Sequence, residues 1–236
     1  MFIVGEIGVN WEGNFELLEN LLLDLKKSGC DAVKFQAYNM EMIKEHPLKD
    51  RLIKSAVTEL NIKKIDEISK KIGIEWFCTP MYPEAVTLLE PFVKRYKIRE
   101  IDGRVLTNNK TSPLIDQILK TEKEIIVSSN QSPVKCELYT NKKIKWLYCV
   151  PKYPCNLDEI NFEEIKNYDG YSNHCDHIIA PLTAAILGAN IIEIHVTADK
   201  NKDFIDNPVS FDLNEVRELI KLIKLSMKIK TGIDKK

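Results

Sequence analysis

The sequence predicts a (β/α)8 barrel, and three observations carry that expectation. Short β-branched runs alternate with longer segments whose apolar residues recur at helical spacing. Eight strand candidates can be placed in order, and 236 residues suit one barrel of about 200–250 residues. Alternation alone does not say whether the sheet closes, so a doubly wound parallel sheet is the alternative. Hydrophobic residues make up 44% of the chain, and 34 basic residues against 35 acidic ones leave a net charge of -1. That supplies a core and gives no global attraction to nucleic acid or an anionic membrane.

The strand candidates are Phe2–Ile7, Ala32–Gln36, Ile74–Cys78, Tyr96–Ile98, Glu124–Ser128, Lys145–Val150, Gly170–Ser172 and Ile191–Val196. Between them Leu17, Leu18, Leu21, Leu22 and Leu25 recur as one helix face, ending near Gly29; Ile62, Ile65, Ile68 and Ile72 form another, ending at Gly73. Further helices are expected at Ala85–Val93, Leu114–Leu119, Phe162–Ile165, Ile178–Leu187 and from Asn214 onward. Residues 37–57 read as a long connection with His46 an ordinary loop residue, residues 129–144 hold no long helix, and Gly103 and Gly170 serve turns. The expectation is one domain over residues 1–236.

The start lacks a basic leader and meets Glu6 early, and no apolar run approaches a membrane span. Six cysteines without a CxxC pair are no secreted disulfide framework, so a reduced, cytoplasmic protein is expected. No GxGxxG or Walker A pattern is present. The basic residues at Lys63, Lys64 and Lys221–Lys236 are spaced as solvated helix faces.

In a barrel the C-terminal strand ends converge on one mouth, where reactive groups collect. They deliver Glu6 with Asn10, Lys34 with Gln36, Thr79, Lys97, Ser128 to Asn130, Tyr153, Ser172 with His174, and His195. Glu6 interrupts an apolar strand, and a buried carboxylate needs a partner. Lys34 and Gln36 share a strand face; Lys34 and Lys97 in one mouth suit a phosphate or carboxylate ligand, although either lysine could be a Schiff-base nucleophile or a rim residue. His174 and His195 on adjacent strand ends could share a divalent ion with open positions, closer to Mn2+ or Mg2+ than to structural zinc. One buried and one rim histidine is the plainer reading, and His177, three residues beyond His174, keeps a pair within one loop open. Asp199 and Asp206 follow the eighth strand and do not stand out physically.

These strand ends carry a resemblance. GEIGVNWEG at 5–13, GCDAVKFQ at 29–36, GIEWFCTP at 73–80, RYKI at 95–98, WLYCVPKYP at 146–154, DGYSNHCDH at 169–177 and LGANIIEIHVTADK at 187–200 form an ordered set. LTNNKTSPLI at 106–115 is a looser echo, and DNPVSFDLNEVRELIKLI at 206–223 closes it. The chain resembles the catalytic barrel of the sialic acid synthases, the N-acylneuraminate synthase family that includes the legionaminic and pseudaminic acid enzymes. The resemblance implies condensation of phosphoenolpyruvate with an amino-sugar aldose to a nonulosonic, 2-keto-3-deoxy sugar acid with release of phosphate. It implies that Lys34, Gln36, Thr79 and Lys97 contact phosphoenolpyruvate, and that Tyr153 and Ser172 lie in substrate-binding motifs. It further implies that His174 and His195 hold the divalent metal, Mn2+ or Mg2+, that Glu6 lies near metal and acceptor, that Asp206 meets acceptor hydroxyls, and that Asp102 lies near a carboxylate with a proton-transfer role.

Where that family has asparagine-histidine this chain has Asn10-Trp11, and a serine-glycine-acid turn after Lys97 is replaced by Arg99 to Asp102. Ser129 to Gln131 replace the strand-five signature. Tyr148, Pro151 and Ile194 stand for a histidine, a small polar residue and a lysine. These changes suggest an altered acceptor pocket or altered anion contacts. The family's C-terminal antifreeze-like domain, which covers the partner subunit's site in a dimer, has no counterpart expected within 236 residues; a homodimer or a separate lid-domain partner is the corresponding expectation. Two other readings are a catalytically degenerate barrel serving as a binding or partner subunit in a surface-glycan pathway, and a Schiff-base lysine aldolase.

Overall fold

The computed structural model describes residues 1–229. Its eight strands, all parallel, are hydrogen-bonded in the order β1-β2-β3-β4-β5-β6-β7-β8 and close on themselves. Closure rests on five register pairs between β1 (Phe2–Glu6) and β8 (Ile191–His195), from Phe2 opposite Ile191 to Glu6 opposite His195. That removes the doubly wound alternative.

In chain order β1 leads to α1 (Phe15–Ser28), β2 (Ala32–Ala37), two short helices α2 (Met40–Ile43) and α3 (Lys49–Ser55), then α4 (Ile62–Ile72). Next come β3 (Glu75–Pro80), α5 (Pro83–Leu89), β4 (Arg95–Ile98), α6 (Glu100–Thr107), α7 (Pro113–Lys120), β5 (Glu124–Ser129) and β6 (Ile144–Cys149). β7 (Gly170–Asn173), α8 (Ile179–Ile186), β8 and α9 (Leu213–Ser226) complete the ring. The helices form where a cap and an apolar stripe agree. In α1 the Asn14 side chain accepts from the Leu17 N–H, Leu18, Leu21, Leu22 and Leu25 are buried, and Gly29 ends the helix at φ 101°. Asp212 and Glu215 make a capping box at the start of α9.

Three local expectations change. The segment after Lys97 is a helix, α6, supported by the Arg99–Asp102 and Glu100–Arg104 pairs at i,i+3 and i,i+4. Gly103 therefore serves no turn: it is the point where α6 lies against β5, and an added Cβ would fall 2.0 Å from the Ser128 carbonyl oxygen. Gly170 likewise opens β7 against β8, with an added Cβ 2.0 Å from the Ile191 carbonyl oxygen. The helix expected at Phe162–Ile165 is reduced to a 3-10 turn at Ile165–Asn167, and the β5–β6 connection holds only a 3-10 turn at Pro133–Lys135 among the described residues.

The main core lies between the barrel and its helices, and a second, smaller cluster of Val9, Tyr38, Leu52 and Ala56 lies under the β2–α4 connection. All six cysteines are buried and unpaired. No helix among the described residues is long and apolar enough to cross a membrane. The basic tail beyond Ile229 lies outside the described residues.

Candidate active site

Strand parity sends Glu6, Lys34, Gln36, Thr79, Lys97, Ser128, Ser172, Glu193 and His195 to one mouth, where they line a cavity of about 420 Å³. Register sets their heights. Glu6 is level with Lys34 on one side and His195 on the other, Gln36 with Thr79, and Ser172 with Glu193.

The floor is a network of two lysines and two carboxylates, all buried. Lys34 Nζ lies 2.8 Å from Glu6 Oε2 and donates to Thr79 Oγ1 at 3.2 Å. Gln36 Nε2 donates to the other Glu6 oxygen at 2.7 Å. Glu193 Oε1 lies 3.9 Å from Lys34 Nζ and 3.7 Å from Lys97 Nζ, and accepts from Ser172 Oγ at 2.9 Å. Lys97 also donates to Ser128 Oγ at 2.6 Å. Burial works against every charge here, but the two ammonium groups outweigh it and hold the Glu193 carboxyl at about 2. Burial also works against Lys34, yet Glu193 and Glu6 raise it above its ordinary value. Lys97 goes the other way, because burial and the neighbouring Lys34 charge exceed the help from Glu193.

Beside that network the two imidazoles meet edge to face, ring centroids 5.5 Å apart and planes at 61°, with Tyr153 packed edge-on to both. His174 Nδ1 sits 3.1 Å from the Val150 carbonyl oxygen, which requires an N–H there and leaves Nε2 as the free lone pair. Burial, with His195 nearby, lowers His174 to about 4, so its ring is neutral at pH 7. His195 Nδ1 lies 3.0 Å from the Tyr153 hydroxyl and 3.4 Å from Asp206 Oδ2. Asp206 in turn is placed by Asn10. The Asn10 amide donates to Val196 O and Ser210 Oγ and accepts the Asp206 backbone N–H at 3.0 Å.

The His174 and His195 imidazoles, each held through its Nδ1, are two nitrogen donors on one side of the cavity that would leave open positions for water or substrate on a divalent ion. No group of three or more His, Cys, Asp or Glu side chains able to hold a metal is present among the described residues, so these residues do not form a closed cage.

Of the residues expected at the site, Glu6, Lys34, Gln36, Thr79, Lys97, Tyr153, Ser172, His174, His195 and Asp206 all line this cavity. Asp102 does not; it lies in the first turn of α6, where its carboxylate accepts from Arg99 Nε at 2.6 Å. His46, read as an ordinary loop residue, does line it, because the β2–α4 connection folds over the mouth. Ser128, expected at the mouth, lines it as well, whereas Glu193, Cys149, Arg99 and Glu100 are lining residues absent from the expected set. Glu193 had a legible signal: like Glu6 it interrupts an apolar strand, two residues before His195 and on the same face.

The unusual residues around the mouth mostly point away from it. Trp11 is buried in the core against Phe15 and Phe35, its indole N–H donating to Ser55 O at 3.0 Å. Tyr148 packs with Phe162, Tyr168 and Tyr171, and Ile194 lies at outward parity in β8 with no exposure. Neither these nor Pro151 line the cavity, whereas Arg99 and Glu100 do. The change to the pocket is thus narrower than the sequence suggests.

A closed parallel barrel with two buried lysines and two imidazoles in one cavity at the C-terminal ends of its strands defines the class, a (β/α)8 protein with a polar pocket at its mouth. The family model of the NeuB family matches residues 22–235, and the chain belongs to that family. It is 32% identical to an uncharacterized protein of Methanocaldococcus jannaschii, over 97% of this chain and 71% of that protein. It is 29% identical to the N,N'-diacetyllegionaminic acid synthase of Campylobacter jejuni, over 94% of this chain and 75% of the relative. The crystal structure of an N-acetylneuraminic acid (sialic acid) synthetase from Leptospira borgpetersenii, in complex with citrate, superposes with a TM-score of 0.85 at 26% identity, covering 100% of this chain and 86% of that one.

Proposed function

We propose that this chain condenses phosphoenolpyruvate with an amino-sugar aldose, releasing phosphate and forming a nonulosonic, 2-keto-3-deoxy sugar acid. The observation that carries the reading is the pair of buried lysines, Lys34 and Lys97, on the cavity floor beside the two imidazoles, in a chain of the NeuB family. In the reaction, C3 of the enol attacks the aldehyde carbon, water adds at C2, and phosphate leaves from the resulting tetrahedral carbon.

The residues divide that work by chemistry. Lys34 and Lys97 present ammonium groups to the phosphate and carboxylate, with Thr79, Ser128 and Ser172 as neutral hydrogen-bonding neighbours. Glu6 and Glu193 offset the burial penalty on the two ammonium groups before substrate enters, fully at Lys34 and in part at Lys97. Glu6, level with His195 and lining the cavity, orients the attacking water and accepts its proton. Tyr153 and Asp206, both on His195, face the acceptor side and bind its hydroxyls. A Mn2+ or Mg2+ ion held by His174 and His195 would supply Lewis-acid polarisation of the acceptor carbonyl.

The test is phosphate release from phosphoenolpyruvate with a panel of 2-acetamido-aldoses, free and 6-phosphorylated, with and without Mn2+. Release that needs both acceptor and metal, and collapses in His195→Ala, supports the reading. Tight phosphoenolpyruvate binding without turnover across the panel would instead mark a binding or partner subunit. A Schiff-base aldolase has one observation in its favour, the lowered Lys97 ammonium. Borohydride trapping with pyruvate, compared between wild type and Lys97→Met, decides that case.

A further inference from the structure

Lys34 and Lys97 are already countered by Glu6 and Glu193, so the floor alone is nearly neutral toward a ligand carrying several negative charges. One more cation lines the cavity at inward parity. Arg99 lies two residues beyond Lys97 on the same strand end, beside Met81 and Glu100. Its Nε donates to Asp102 Oδ2 at 2.6 Å, and Nη1 meets only the Met81 sulfur at 3.7 Å, a weak acceptor. Asp102 is thus the only oxygen partner of this guanidinium among the described residues, and most of its five N–H groups have none. Glu100, next in sequence, makes its ion pair with Arg104, Nε to Oε1 at 3.0 Å, and none with Arg99 among the described residues. The guanidinium side chain is 40% exposed, open enough for a ligand to reach and anchored at one edge.

We propose that Arg99 is an additional anion-binding residue of this cavity, receiving a phosphate or carboxylate group on its free edge, and that Asp102 is the residue that positions it. Asp102 acts from outside the cavity: in the first turn of α6 and three residues from Arg99, it fixes Nε and aims the remaining fork inward. The inference rests on the proposed anionic substrate and adds to it a contact outside the floor. The anionic group can belong to phosphoenolpyruvate or to a phosphorylated acceptor, and the experiment separates the two.

The full chain and its Arg99→Ala, Arg99→Lys and Asp102→Ala variants are titrated calorimetrically with phosphoenolpyruvate and with inorganic phosphate. KM values follow for free and 6-phosphorylated 2-acetamido-aldoses, and thermal melts verify folding. Loss of a charge-assisted bidentate contact predicts weakening by about 10- to 100-fold in Arg99→Ala. Arg99→Lys recovers part of it, and Asp102→Ala raises the same constant with kcat nearly unchanged. A rise in the phosphoenolpyruvate Kd assigns the group to that substrate; a rise confined to KM of phosphorylated acceptors assigns it to the acceptor. Both support the proposal. If wild type binds phosphoenolpyruvate and Arg99→Ala binds it and the phosphorylated acceptor equally well, this inference falls and the proposed function stands. If wild type binds neither phosphoenolpyruvate nor inorganic phosphate, both fall.

Discussion

Replacing Glu193 by Gln removes the carboxylate that both floor lysines share while keeping the side-chain volume and an acceptor for Ser172. Glu193 Oε1 lies 3.7 and 3.9 Å from Lys97 and Lys34. At an effective dielectric of ~20 each contact has a gross attraction of about 4 kcal/mol. Desolvation of the carboxylate offsets much of that, and breaking a buried pair by removing one partner costs about 3–5 kcal/mol net. The direction of the Glu193 shift agrees: despite burial, the two ammonium groups hold its carboxyl below its ordinary value. The Tm at pH 7 should therefore fall by about 6–10 °C, at about 2 °C per kcal/mol for a chain of this length. The sign of the pH dependence is fixed as well. A depressed carboxylate stabilises the fold above its unfolded pKa and loses that contribution as pH falls through its folded one. The Glu193-dependent part of stability should then be present above about pH 4.5, fade toward pH 2, and be missing from Glu193→Gln. Urea and thermal melts across that range measure it. A variant within 2 °C of wild type at pH 7 (roughly 1 kcal/mol), with an unchanged acid limb, would refute the shared-counterion account.

Three other outcomes follow from the same geometry. His174 is held neutral to about pH 4, so in chelator-treated protein the unfolded chain takes up a proton first. Stability should fall by up to about 3 kcal/mol as pH drops from 6.5 toward 4, and His174→Gln should lack that slope in urea melts. Gly103→Ala should lower Tm by several degrees, because its methyl would meet the Ser128 carbonyl and force α6 away from β5, an overpacking cost of about 1–3 kcal/mol. Trp11→Phe should destabilise by about 1–3 kcal/mol, since the Ser55 carbonyl loses its buried donor. Its phosphoenolpyruvate Kd should match wild type, because Trp11 does not line the cavity.

Much of the site was legible because a barrel couples sequence to space simply. Glu6, Lys34, Gln36, Thr79, Lys97, Ser172 and His195 each sit at an inward position late in a strand, and strand parity with a common direction places all of them at one mouth. Glu193 is readable by the same parity, two residues before His195 on the same strand face. His46 was not readable, since its position depends on how the β2–α4 connection packs on the small second cluster. Asp102 lies off the cavity lining because the segment after Lys97 folds as α6, where its carboxylate pairs with Arg99 Nε.

By itself the sequence determined the strand and helix rhythm, the inward set and the chemistry carried on it, because periodicity and residue type are local properties. Only the tertiary structure decided that β1 pairs with β8 and closes the sheet. It alone set the cross-strand register that brings Glu193 between two lysines. It also sent Trp11 and Ile194 into the core and packed Tyr148 against it, while Arg99 and Glu100 stayed in the cavity. The physical reason is that these outcomes depend on contacts between residues far apart in the chain, where packing and charge pairing choose among arrangements that local pattern leaves equal.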